Sequence, residues 1–101
     1  MEEKEYVTLD FTACKYISDL YNQMQTKMVW EDWYGHNLDA LWDILTGLPH
    51  YGSDFTIIRP LQYTNIPHNQ NTTFDRYVDK ICTVFNRAQH EGYLTVHIEY
   101  R

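Results

Sequence analysis

The sequence predicts an α/β fold: a three-stranded parallel sheet with helices packed around it. Three observations carry that expectation. Short β-prone runs occur near the start, in the middle and at the end of the chain. Segments with helical periodicity lie between them, and helical crossovers join parallel strands. The 101 residues contain no repeat and no linker-like stretch, so residues 1–101 are read as one domain.

The elements follow in order. Residues 5–10 (Glu-Tyr-Val-Thr-Leu-Asp) are short and rich in strand formers. Ser18 is a candidate N-cap for a first helix over residues 18–28, in which Leu20, Tyr21, Met24 and Met28 keep the period. Residues 29–37 read as a loop holding Trp30, Glu31, Asp32, Trp33 and Tyr34. Asn37 is suited to cap a second helix over residues 38–46, with Leu38, Leu41 and Leu45 on its apolar face. Gly47 is expected to close it in the left-handed conformation. Residues 48–53 are turn-rich, and Phe55-Thr56-Ile57-Ile58 is a buried-strand candidate ended by Pro60.

Residues 61–73 read as a loop, with room for a helical turn before Pro67. Thr73 is then expected to cap a last helix whose stripe runs Phe74, Tyr77, Val78, Ile81, Cys82, Phe85, Ala88. Gly92 ends it, and residues 93–100 alternate as a final strand.

Composition excludes several classes of function. No apolar run approaches the roughly 20 residues that span a bilayer, and the first residues are acidic, unlike a secretory signal. A cytoplasmic protein without membrane partners is expected. Cys14 and Cys82 lack metal or redox spacing and read as reduced core thiols. The five histidines show no paired ligand spacing, so neither metal nor cofactor is expected. The net charge of −6 lies wholly in residues 1–47, with nine acids against three Lys. Met28 to Ile58 contains five acids and no Lys or Arg. Such a surface repels nucleic acid and attracts a basic partner.

The chemistry concentrates on the second helix. Asp39 and Asp43, four residues apart, share a face away from the leucines. Asp43 also stands toward the helix C-terminus, where the dipole disfavours an anion. Trp42 borders both faces, and is either a partner contact or a core-edge residue. As a catalytic pair the two carboxylates are poorly disposed. One helix face cannot flank a substrate from opposite sides, and no nucleophile or phosphate-loop signature accompanies them. No catalytic residue is assigned.

The window Tyr34-Gly35-x-Asn37-Leu38-Asp39-Ala40-Leu41-Trp42-Asp43-x-Leu45-Thr46-Gly47 closely resembles the signature of the barstar family of ribonuclease inhibitors. Val84-Phe85-x-x-Ala88-x-x-Glu91-Gly92 and the Ile17-Ser18-Asp19-Leu20 helix start are similar too. The resemblance implies the barstar-like fold and inhibition of a ribonuclease by docking in its basic active site. It implies that Asp43 takes the phosphate position and Asp39 a second charged contact. Trp33, Tyr34, Gly35, His36, Asn37, Trp42, Thr46, Gly47 and Glu91 complete the expected binding surface. The inhibitor is expected to be monomeric when free.

Departures from the family pattern point to a changed partner. Trp33 replaces a tyrosine, His36 an acid, Leu48 an interface tryptophan, and Arg87 an acidic contact on the last helix. Residues 49–71 do not match the pattern. His36 at the rim is either a pH-sensitive contact or an exposed bystander. An alternative partner is a non-ribonuclease toxin or another basic protein, with this chain as its immunity protein or adaptor.

Overall fold

The computed structural model describes residues 4–61 and 68–101, residues 68–72 by their backbone alone. Its strands are β1 (Tyr6–Asp10), β2 (Asp54–Arg59) and β3 (Thr95–Tyr100). They form one parallel sheet in the order β1-β2-β3, with β2 central. The helices are α1 (Ile17–Lys27), α2 (Leu38–Leu45) and α3 (His68–His90), and a 3-10 turn spans Leu48–His50.

Strand alternation explains the core. The register aligns Val7, Phe55 and Val96 in one row and Leu9, Ile57 and Ile98 in the next. Five of these six side chains are buried and Ile98 is partly so. Against them pack Leu20, Tyr21 and Met24 of α1, Leu41 and Leu45 of α2, and Ile81 and Phe85 of α3. The Phe55 and Phe85 rings meet edge-on at 5.0 Å. The outward row Thr8 and His97 is exposed, as period-two alternation requires. Two glutamines pin the sheet's edges to the helices. Gln23 of α1 accepts from the Asp10 N–H at 3.1 Å, and Gln89 of α3 from the Val96 N–H at 2.8 Å. These bonds occupy donors that an open edge would offer to another chain.

Several boundaries differ from the sequence reading. α1 starts at Ile17 after Tyr16, so Ser18 is not its cap. Asp19 performs that service by reaching back, its Oδ2 accepting from the Lys15 and Tyr16 N–H groups at 3.0 Å each. Gly47 is extended (φ −82°, ψ 163°), not left-handed. α2 ends instead by tightening: the Gly47 N–H bonds the Ile44 carbonyl, and the 3-10 turn follows. The left-handed glycines are Gly52 (φ 78°) and Gly92 (φ 88°), the second as expected. Thr73 lies within α3 rather than capping it, because the helix already runs from His68. A polar stretch such as His68-Asn69-Gln70-Asn71 has no apolar period to announce a helix. The turn expected before Pro67 falls in residues 62–67, outside the described residues. β3 begins at Thr95, two residues later than expected.

An unforeseen buried cation ties α3 to the sheet. Arg59, the last residue of β2, is only 5% exposed. Its guanidinium donates to Asp79 at 2.7 Å and Asp75 at 2.9 Å, one turn apart on α3. The Tyr100 ring covers it at 5.4 Å.

Candidate binding surface on the second helix

The presenting loop, residues 29–37, is built on buried supports. Trp30 is buried in the core cluster. His50, fully buried, accepts the Val29 N–H on Nε2 at 3.0 Å and fixes the loop's first residue. Burial pushes the His50 pKa down, with Glu5 opposing from 4.0 Å. Protonation would remove the lone pair that Val29 uses. The unfolded chain binds that proton more readily, so His50 contributes its full stability above about pH 6.5. That contribution is lost as pH falls from 6.5 toward the depressed value. Urea melts at pH 7.5 and 5.5 should show lower stability at 5.5, with a slope of at most ~1.4 kcal/mol per pH unit. His50→Gln should flatten that slope; an unchanged slope would place the titration elsewhere.

At the loop's far end, Asn37 caps α2, its Oδ1 accepting the Ala40 N–H at 2.8 Å. Gly35 leaves space for this cap: a Cβ there would lie 2.6 Å from Asn37 Nδ2. Gly35→Ala should therefore displace the cap and cost about 1 kcal/mol. In a double-mutant cycle with Asn37→Ala the two losses should not add, and full additivity would separate Gly35 from the cap.

The expected surface residues divide into groups. Trp33 is 75% exposed and stacks on half-buried Tyr34, with ring centroids 4.0 Å apart. Trp33, Tyr34, Asp43 and Gly47 border one depression of about 190 Å³, together with Val29 and Pro49. Asp39, Trp42 and Asp43 border a second, of about 360 Å³, whose other wall is Thr83, Val84 and Arg87 of α3. Asp43 thus stands between the two. Among the described residues neither Asp39 nor Asp43 has an ion-pair partner, and both are exposed. The buried face of α2 is wider than three leucines, since Ala40 and Ile44 join Leu41 and Leu45 while Leu38 is only partly buried.

Other residues are engaged within the fold. His36, though exposed, lies flat on Tyr21 (5.3 Å, 5° between planes) and bonds Gln25 Oε1 through Nε2 at 3.0 Å. It is therefore held against α1. The Thr46 hydroxyl donates to the Trp42 carbonyl at 2.9 Å. Glu91 accepts from Arg87 Nε at 3.2 Å. Trp42 stands at the core edge: it is half-buried with its edge on Tyr93 (6.1 Å), and its face carries Arg87 at 4.6 Å.

The sequence reading missed His50 and Pro49 as parts of this region, and gave Val29 only as the first residue of the loop. No local signal marks His50, because its bond to Val29 joins residues 21 apart. Arg87 stands out in the sequence, whereas its seat over Trp42 is set by the packing of α3 on α2.

Residues 5–98 match the family described as Barstar (barnase inhibitor). The chain belongs to the barstar family. A curated Bacillus subtilis (strain 168) relative, named "Putative ribonuclease inhibitor YrdF", is 29% identical over 85 residues. That match covers 84% of this chain and 86% of the relative. Barstar-family members are inhibitors rather than enzymes. Among the described residues of this member, no helix is long and apolar enough to cross a membrane.

Proposed function

We propose that this barstar-family chain inhibits a ribonuclease by inserting the exposed face of α2 into its basic active site. One observation carries the reading: Asp39 and Asp43 lie exposed and without an ion-pair partner among the described residues, on a helix whose cap and buried face are both satisfied. A ribonuclease site is built to hold phosphate, and a fixed carboxylate can occupy the same position. Asp43 takes that position, Asp39 adds a second charge, and charge-assisted bonds to Arg make both selective. Trp33, Tyr34 and Trp42 supply stiff aromatic contact area beside them. Gly35, Asn37, His36 and Thr46 act mainly by holding the loop and helix in place, and Gly47 and Glu91 border the contact. The inhibitor acts as a cytoplasmic monomer, without nucleic acid, metal or cofactor.

The seat of Arg87 favours a second form of this reading, an immunity protein whose toxin differs from barnase at the rim of its basic site.

The test is a titration into barnase during RNA cleavage. Inhibition should be competitive with inorganic phosphate, with a dissociation constant of roughly micromolar or tighter. Inhibition unaffected by phosphate would sink the active-site reading.

A further inference from the structure

Arg87 belongs to a longer feature of α3. Arg76, Lys80, Thr83, Arg87 and His90 recur at intervals of four and three, which places them on one helical stripe. All five are exposed. Among the described residues Arg76 and Lys80 have no ion-pair partner, and Arg87 is 70% exposed even with Glu91 beside it. Asp79, near the stripe, is committed to Arg59. The stripe joins the acidic helix directly, since Thr83 and Arg87 form the wall of the groove opposite Asp39 and Asp43. The docking surface is therefore bipolar, with carboxylates on α2, a basic ridge on α3, and Trp42 between them under the Arg87 guanidinium.

We infer that the partner is a ribonuclease whose basic cleft is bordered by an acidic ridge, and that Arg76, Lys80 and Arg87 select it by charge. This inference rests on the inhibitor reading above and names which member of that partner class the surface fits. A cationic cleft satisfies Asp39 and Asp43. A partner basic on both sides of the groove would bring like charges against α3, which slows encounter and suppresses binding. Opposite charges on both sides steer the two proteins into one orientation.

The inference is tested by association kinetics with barnase as the probe, at low and at physiological salt. The family pattern carries an acid where this chain has Arg87, so barnase, the nuclease its description names, serves as the probe that this inference expects to be mismatched to the stripe. The triple variant R76E/K80E/R87E should associate with barnase at least tenfold faster than the native chain at low salt. The gain should shrink as salt rises. R76E/K80E, which touches no pair in the groove, should show part of the gain even if the triple variant folds poorly. Rates equal within twofold for all three proteins would overturn the inference. So would binding of a 12-nucleotide single-stranded RNA by the native chain that the triple variant loses, with barnase association unchanged, because the stripe would then serve RNA. Asp43→Ala in the triple background separates the two readings. Loss of binding there upholds the α2 reading, whereas unchanged binding defeats it whatever the stripe does.

Discussion

Asp43→Ala should weaken ribonuclease binding about a hundredfold, close to 2.7 kcal/mol, while leaving the fold intact. Asp43 is exposed, forms no ion pair among the described residues, and sits between the Trp33–Tyr34 depression and the Trp42 groove. Its position toward the C-terminal end of α2, together with Asp39 one turn earlier, costs the free helix a few tenths of a kcal/mol. Removing it should therefore raise stability slightly as binding falls. The opposite signs are the useful part of the experiment. A residue kept for folding would lose both together. The dissociation rate should carry most of the loss, because a docked carboxylate would be desolvated and its removal would leave cationic partners buried and unpaired. Isothermal titration and a urea melt on the same sample check both halves. An unchanged dissociation constant would remove Asp43 from the interface.

Arg59→Ala should destabilise the protein by about 3 kcal/mol, lowering Tm by roughly 15 °C for a chain of this size. Arg59 is almost fully buried, while its partners Asp75 and Asp79 keep side-chain exposures of 44% and 58%. The loss is thus mainly of packing and of the tether between β2 and α3, since the freed carboxylates regain water. The two aspartates would also repel each other along α3 once the cation is gone. Arg59→Met should recover part of the loss by filling the space under Tyr100 and beside Cys82. Calorimetric unfolding distinguishes the variants, and an Arg59→Ala melt within 1 °C of the native chain would show that the bridge adds nothing. Because Arg59 lies outside the groove, inhibition by the folded fraction of Arg59→Ala should be retained.

Legibility differed by element for identifiable reasons. α2 was plain because its signals are local: Asn37 at the start, apolar residues at helical spacing, and two acids on the other face. The last helix was legible from Phe74 onward, where the apolar stripe begins, and invisible from His68 to Thr73, where every residue is polar. Its Gly92 stop was right because a glycine past a helix end has a φ above zero to supply. Gly47 shared that sequence context, yet the chain there continued into the 3-10 turn, which needs no positive φ. Ser18 lost the capping role to Asp19 because a carboxylate one position on could reach two backbone N–H groups at once.

By itself the sequence determined the element types, the parallel α/β architecture, the charge asymmetry and the pair of aspartates on one helix face. Each depends on periodicity or on neighbours within a few positions. Only the tertiary structure decided which distant residues meet. It set Arg87 over Trp42, closed Arg59 between two α3 aspartates, buried His50 beneath Val29, and laid His36 on Tyr21. These contacts arise where helices cross the sheet and one another, and no local pattern encodes the crossing. The helix that carries Asp39 and Asp43 is thus, in the folded molecule, one wall of a groove whose other wall carries Arg87.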